Sequence, residues 1–102
     1  MPTLTGRRAI VTGAASGIGR ATAHLLATEG AAVLVADLDA ERAGAVAEAI
    51  RAEGGQALAM RCDVTRTEDC RQAVETSVEQ WGGLDIVVNC AGIVRRACSR
   101  EQ

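Results

Sequence analysis

Short apolar runs alternate with longer segments of helical periodicity along this chain. The runs lie at residues 8–12, 32–36, 56–62 and 84–88, and the second of them is continuously apolar. Such a run is typical of a parallel strand that is buried on both faces. Between the runs, apolar and small residues recur at i, i+3, i+4 and i+7, which predicts three amphipathic helices. Strands that alternate with helices in this order predict parallel βαβ units with right-handed crossovers.

The periodicity also predicts which helix residues face the sheet, and terminal signals predict where each helix begins and ends. The first helix opens at Ile18 and ends at Gly30, with an inner stripe of Ile18, Ala21, Thr22, Leu25 and Leu26. The second is capped by Asp39 and ends before Gly54, with an inner stripe of Ala43, Val46, Ala47 and Ile50. The third is capped by Thr67 and ends before Gly82, with an inner stripe of Cys70, Val74, Ser77, Val78 and Trp81.

Composition places the chain among globular proteins. It has 102 residues, 48% of them apolar and 24% charged, which suits one domain or part of one. The formal net charge of −2 argues against a nucleic-acid-binding surface. No apolar stretch reaches membrane-spanning length and the first residues lack the features of a signal peptide, so we expect a soluble, cytoplasmic protein.

The four cysteines predict neither a metal site nor a disulfide framework. They form no C-x-x-C pair, and the only histidine, His24, is not at metal-ligand spacing from them. In a cytosolic α/β chain they are expected to be free thiols that pack as small hydrophobic groups. The four are Cys62, Cys70, Cys90 and Cys98.

A glycine-rich segment, residues 12–19, joins the first strand to the first helix and reads T-G-A-A-S-G-I-G. Glycines there let the backbone turn tightly and let its N–H groups approach a pyrophosphate at the positive end of the helix. The alternative is that they only form a turn. The segment lies between a strand and a helix, and polar residues follow the later strands. Both features favour phosphate binding over a simple turn.

The spacing G-x-x-x-G-x-G resembles the fingerprint of the short-chain dehydrogenase/reductase family, T-G-x-x-x-G-x-G. The resemblance covers residues 6–93 and implies a Rossmann-like α/β/α fold whose parallel sheet has the order 3-2-1-4. It also implies a site for NAD or NADP. The implied cofactor-binding residues are Thr12, Gly13, Ser16, Gly17, Ile18, Gly19, Asp37, Leu38, Asp63, Val64, Asn89, Ala91 and Gly92.

Asp37, at the end of the second strand, favours NAD over NADP. A carboxylate there can accept hydrogen bonds from the adenosine ribose, and its charge repels a 2′-phosphate. An NADP site would want a basic residue at Ser16 or Leu38, and neither position is basic, although Arg20 and Arg42 are near in sequence. The alternative role for Asp37 is a turn or helix cap, which Asp39 fills better.

Two further motifs follow the third and fourth strands. The resemblance implies that Asp63 and Val64 bracket the adenine, whereas Asp63 alone reads as a turn residue. Asn89-Cys90-Ala91-Gly92 is similar to the family's N-N-A-G, where small residues approach the cofactor ribose and the first Asn ties neighbouring strands. Cys90 departs from that motif; a nucleophilic role is disfavoured because no general base is near it in sequence, so we expect a structural thiol.

The chain contains no Tyr and no Lys, so the family's Tyr–Lys proton-transfer pair is absent from it. We therefore expect no catalytic residue here, and an inactive chain that comprises the dinucleotide-binding half of an alcohol/ketone oxidoreductase, residues 1–93, followed by a tail, residues 94–102. The alternatives are a non-catalytic NAD(H)-binding or partner-docking module, and a gene remnant. An unpaired fourth strand also predicts self-association.

Overall fold

A computed structural model describes residues 3–15 and 17–90 of the chain and shows four parallel strands and three helices in this range. The strands are β1 (Arg8–Thr12), β2 (Ala32–Asp37), β3 (Gln56–Arg61) and β4 (Ile86–Asn89). The helices are α1 (Gly17–Thr28), α2 (Ala40–Ala52) and α3 (Thr67–Trp81). The sheet order is β3-β2-β1-β4, with every neighbouring pair parallel. The predicted α/β class and strand order are confirmed.

Alternate residues of the central strands point to opposite faces of the sheet, and each face has its own core. On one face Val11, Val33 and Val35 pack with Ala23 of α1 and with the inner side of α2. On the other face Ile10 and Leu34 pack with Cys62 and with Ala73 of α3. The strands are therefore buried on both sides, which is why their sequences read as apolar runs.

The inner face of α2 is the predicted one, whereas those of α1 and α3 match the prediction only in part. In α1 the buried residues are Gly19 and Ala23, while Ile18 and Leu25 are 66% and 60% exposed. In α3 they are Ala73 and Ser77, while Cys70, Val74 and Val78 are exposed. Small residues face the sheet in both helices, because they let the helix backbone approach the strands closely. The predicted inner stripe was right for Leu26 in α1 and for Ser77 and Trp81 in α3, which are buried or pack against the core. It was wrong for the exposed members of both stripes.

Several predicted boundaries also differ from the structure by one or two residues. Arg66, not Thr67, is the N-cap of α3, and its side chain makes no capping hydrogen bond. β3 ends at Arg61, one residue early, and β4 covers 86–89 rather than 84–88. Asp39 does cap α2, accepting a hydrogen bond from the Arg42 N–H at 3.1 Å.

Arg8 and Asp85 join β1 to the start of β4 at the amino end of the sheet. The Arg8 Nε lies 2.7 Å from Asp85 Oδ2, and the Arg8 N–H donates to the same oxygen at 2.9 Å. These hydrogen bonds lower the pKa of Asp85 and raise that of Arg8. Asp85 therefore holds the chain just before β4 in register with β1, although it lies outside the strand to which the sequence pattern assigned it.

Candidate functional site

The carboxyl ends of the strands bring several of the predicted site residues to one edge of the sheet. Thr12 at the end of β1 is paired in register with Ala36 of β2 and with Asn89 of β4. Asp37 is paired with Arg61, the last residue of β3. The polar residues that follow different strands in the sequence thus meet along one row, as expected for an open parallel sheet.

The loop between β1 and α1 relies on glycine conformations. Gly13 has φ +67° and Gly17 has φ +55°, both in the left-handed region that favours glycine. A Cβ at Gly17 would meet no atom within 4 Å, so the space beside the start of α1 is open. No acidic residue lies in the first turn of α1. Predicted residue Ser16 lies outside the described residues.

Gly19 is needed for a different reason, the close approach of α1 to the preceding loop. A Cβ at this position would overlap the carbonyl oxygen of Gly13 and lie 2.8 Å from its carbonyl carbon. Both contacts are with backbone atoms, which cannot rotate aside as a side chain could. Only glycine lets the first turn of α1 sit against the loop in this way, and the helix N-terminus is thereby fixed relative to β1.

The Asp37 carboxylate is tied to the glycine-rich loop. Its Oδ2 accepts a hydrogen bond from the Ala15 N–H at 3.0 Å, and its Oδ1 accepts one from the Asp39 N–H at 3.0 Å. The second contact is the turn role that the sequence left open, and the first was not foreseen. Because a carboxylate has about four acceptor positions, both oxygens keep capacity for further donors. The charge is thus held at a fixed place beside the loop.

Thr12 and Asn89 connect β1 to β4 across the same edge. The Thr12 hydroxyl donates to Asn89 Oδ1 at 2.9 Å, and the Cys90 N–H donates to the Thr12 carbonyl at 3.0 Å. The prediction that Asn89 ties neighbouring strands is confirmed. Cys90 is partly buried and packs against the core on the α1–α2 face, as a structural thiol would. Ala91 and Gly92, also predicted for the site, lie outside the described residues.

Asp63 and Val64 lie on the loop that follows β3. Asp63 Oδ1 accepts from the Thr65 hydroxyl at 2.6 Å and from its N–H at 3.0 Å, and these bonds lower the pKa of Asp63. Its turn-forming role is therefore observed. Val64 lines a mostly apolar cavity of about 170 Å³ that Thr12 and Asn89 also line.

Asp69 positions this loop and was missed from the sequence. Its Oδ2 accepts a hydrogen bond from the Asp63 N–H at 3.0 Å, which links the first turn of α3 to the end of β3. The sequence feature that could have predicted this contact is an acidic residue in the first turn of a helix that starts four residues after Asp63. Thr65, two residues after Asp63, could likewise have predicted the local turn.

Two exposed apolar side chains flank the edge and complete the predicted set. Ile18 follows Gly17 in α1, and Leu38 follows Asp37; they are 66% and 59% exposed. The edge thus offers an open helix N-terminus for an anion, a fixed carboxylate for hydroxyl donors, and apolar side chains for flat or aliphatic groups. In the part of the chain that the structure describes, no cluster of three or more His, Cys, Asp or Glu could hold a metal ion. None of the described helices is long and apolar enough to cross a membrane.

Comparison with known proteins gives consistent matches over nearly the whole chain. The family model for short chain dehydrogenases matches residues 7–102. The short-chain reductase protein NovJ of Streptomyces niveus is 49% identical over 87 residues, which are 85% of this chain and 33% of NovJ. The 2,5-dichloro-2,5-cyclohexadiene-1,4-diol dehydrogenase LinX of Sphingobium indicum is 46% identical over 97% of this chain and 40% of LinX.

A solved structure shares the fold. The crystal structure of a short chain dehydrogenase from Mycobacterium avium matches with a TM-score of 0.86 and 42% identity, over 93% of this chain and 36% of that one. The chain thus spans between a third and two fifths of the length of the relatives that it matches.

Proposed function

The chain belongs to the short-chain dehydrogenase family, and from that premise we propose that it is the NAD-binding part of an oxidoreductase that interconverts alcohols and ketones. The proposed binding unit comprises residues 1–93, and residues 94–102 are the tail that follows it. The cofactor, when bound, supplies or accepts the hydride. The chain's own residues bind and orient it, and the alcohol or ketone substrate is a property of the whole enzyme.

The observation that carries the proposal is the hydrogen bond between Asp37 and the Ala15 N–H. It fixes a carboxylate beside a glycine-rich loop at the start of a helix, so that ribose hydroxyls and a pyrophosphate could be held at once. Gly17 supports the phosphate role, because a Cβ there would meet no atom within 4 Å and the space at the N-terminus of α1 is open. Gly13 supports it through its positive φ, and Gly19 lets α1 start close against the loop. Asp63 and Val64 are proposed to contact the adenine.

NAD is proposed rather than NADP because of charge. The Asp37 carboxylate stands where an adenosine ribose would bind, and a 2′-phosphate beside it would be repelled. A cation at this edge could offset that repulsion. Arg42 is exposed in the first turn of α2, so selectivity for NADP is the outcome that the binding experiment has to exclude.

The test is calorimetric titration of the purified chain with NADH and with NADPH. We expect NADH to bind more tightly, and Asp37→Ala to weaken NADH binding by about one to two orders of magnitude, since charged hydrogen bonds contribute roughly 1.5–3 kcal/mol each. Glu48→Gln, a charge change on the exposed side of α2, is the matched control and should leave both affinities unchanged. Tighter binding of NADPH by the unmutated chain would refute the assignment.

The chain by itself is proposed to be inactive. It has no Tyr and no Lys, so it cannot supply the family's proton relay, and proton transfer by a positioned side chain contributes about 10²–10⁴-fold to rate. Incubation with NAD and a panel of alcohols should give no NADH above the background rate. The Escherichia coli 7alpha-hydroxysteroid dehydrogenase, 43% identical over 89 residues, is a suitable positive control with its own substrate. Sustained NADH production by the pure chain would contradict this statement.

Self-association is proposed at the outer edge of β4. Among the described strands β4 pairs only with β1, and Val87 is 61% exposed. Unpaired backbone groups on an apolar edge strand favour pairing with a second chain. The cytoplasmic location stays a prediction from the sequence.

A further inference from the structure

Two cysteines meet beside the loop that follows β3. Cys62 is the first residue after β3 and is only 3% exposed, whereas Cys70 lies in the first turns of α3 and is exposed. Both line the cavity of about 170 Å³ that Val64 also lines. One thiol is thus accessible from solvent, and the other is buried behind it.

The segment between the two cysteines is already closed by hydrogen bonds. Asp69 Oδ2 accepts from the Asp63 N–H at 3.0 Å, and the Cys70 thiol donates to the Val64 carbonyl at 3.7 Å. Residues directly adjacent to Cys62 and Cys70 are therefore held together. Little chain entropy remains to be lost if the sulfurs become bonded, because the ring would close around a loop that is already ordered.

The two thiols also differ in their reactivity as nucleophiles. Burial raises the pKa of Cys62 to about 11, and the charges of Cys70 and Asp69 and a hydrogen bond with the Cys70 side chain add to this effect. Cys62 is therefore a protonated, slow nucleophile at neutral pH, whereas solvent reaches Cys70 directly. This division assigns the first step of an exchange reaction to Cys70 and the second to Cys62.

From this geometry we propose that Cys62 and Cys70 form a reversible dithiol modification site, oxidised by a low-molecular-weight disulfide such as glutathione disulfide. The Cys70 thiolate attacks one glutathione sulfur, forms a mixed disulfide and releases one glutathione thiolate. Cys62 then loses its proton to solvent, attacks the Cys70 sulfur and releases the second glutathione. Two protein thiols are oxidised to one disulfide, and one glutathione disulfide is reduced to two glutathione molecules.

The modification should weaken nucleotide binding, a consequence that rests on the proposed function. A disulfide brings the two sulfurs to about 2.05 Å, which draws the start of α3 toward the end of β3. The Val64 carbonyl also loses its Cys70 donor, so the loop proposed to contact adenine must change its conformation. We expect about a fivefold or larger loss of NADH affinity, the lower end of typical couplings between sites.

The sequence allows the disulfide to be identified directly. Trypsin cleaves after Arg61, Arg66 and Arg71, so the two cysteines fall in separate five-residue peptides, 62–66 and 67–71. The folded chain is incubated with glutathione disulfide, free thiols are blocked with N-ethylmaleimide, and the digest is analysed by mass spectrometry. The expected product is the two peptides joined, lighter by two hydrogen atoms than their sum.

Variants check the roles of the thiols. Cys62→Ser should trap the mixed disulfide on Cys70, Cys70→Ser should abolish the linked peptides, and Cys90→Ser should leave their yield unchanged. Glutathione alone on Cys70 of the unmutated chain, or a bond from Cys70 to another cysteine, would overturn the proposal. The peptide mapping of the unmutated chain decides this even if a variant fails to fold.

Binding measurements separate this proposal from the proposed function. NADH is titrated into the reduced chain and into the chain that carries the mapped disulfide. If the reduced chain does not bind NADH, the proposed function fails while the mapped disulfide stands. If the reduced chain binds NADH and the oxidised chain binds it equally well, the effect on the adenine loop is refuted.

Discussion

Gly19→Ala is the change for which the structure gives the sharpest expectation. The added Cβ would overlap the Gly13 carbonyl oxygen and lie 2.8 Å from the Gly13 carbonyl carbon and 3.0 Å from the Ala14 Cα. Carbon atoms in favourable contact are about 3.5–4.0 Å apart. The loop would therefore have to move by roughly 1 Å or more from the helix. Since the obstructing atoms belong to the backbone, no rotamer change can relieve the overlap.

The cost can be estimated from two opposing effects. Overpacking of this kind costs about 1–3 kcal/mol, and backbone obstruction favours the upper end of that range. Replacing Gly with Ala inside a helix returns up to about 1 kcal/mol through helix propensity. The net loss is about 2 kcal/mol, which for a chain of this size lowers Tm by roughly 8–16 °C.

Gly44→Ala is the matched control, because the chain offers a second helical glycine without the obstruction. Gly44 lies within α2, and a Cβ there would meet nothing within 4 Å. The same substitution should stabilise the chain by about 0.4–1 kcal/mol. The difference between the two variants, about 3 kcal/mol, isolates the contact with the Gly13 backbone from helix propensity.

The assay is thermal and urea denaturation of the two variants and the unmutated chain, followed by circular dichroism. Gly19→Ala should lower the unfolding midpoint and Gly44→Ala should raise it. NADH titration of Gly19→Ala under folding conditions should also show weaker binding, because the loop has moved. Equal shifts in Tm for the two variants would refute the argument that α1 depends on close approach to the loop.

Two other predictions concern the buried thiol of Cys62 and the outer edge of β4. Burial raises the pKa of Cys62 from its ordinary value of 9.0 to about 11, so the native state retains a proton that the unfolded state loses. The stabilisation that comes from this pKa difference should be fully present below pH 9. The free energy of unfolding should then fall by up to about 2 kcal/mol as the pH rises to 11. Urea titrations under reducing conditions should show this fall for Cys90→Ser and not for Cys62→Ala; an equal fall in both would contradict it. The chain has no Tyr or Lys to titrate in this window, and both variants keep three of its four cysteines. For the sheet edge, sedimentation velocity at micromolar concentration should show dimers or larger species that Val87→Lys reduces and that Leu25→Lys, equally exposed on α1, does not. A monomeric unmutated chain would refute edge association.

The helix that the sequence predicted best is the one whose core face is made of larger apolar residues. In α2, Val46 and Ile50 are buried where the periodicity placed them, and Ala43 and Ala47 lie on the same face. In α1 and α3 the pattern failed in part, because hydrophobicity scales rank Leu and Val above Ala and Gly. Close packing against a sheet reverses that ranking, so Ala23 and Ala73 face inward and Leu25 and Val74 outward.

In the candidate site, the sequence could predict where a residue lies when it directly ends a strand, while its binding role stays a prediction. Asp37 follows directly from its position after a buried strand, and the structure ties it to the glycine-rich loop. Contacts that depend on three-dimensional proximity could not be foreseen. Asp69 supports the backbone of Asp63 from a different element, and Cys70 meets Cys62 only because α3 folds back over the end of β3.

The bonds that hold β4 have a consequence for how the chain is synthesised. Arg8 with Asp85 and Thr12 with Asn89 each join residues 77 positions apart, one pair at each end of β4. A ribosome that adds about 5–20 residues per second needs roughly 4–15 seconds to pass from the first partner to the second. During that time β2 can already pair with one side of β1, while the other side of this central strand has no partner until β4 is synthesised. Every nascent chain therefore exposes an open strand edge for seconds, an interval in which chaperone binding or pairing between neighbouring nascent chains competes with β4.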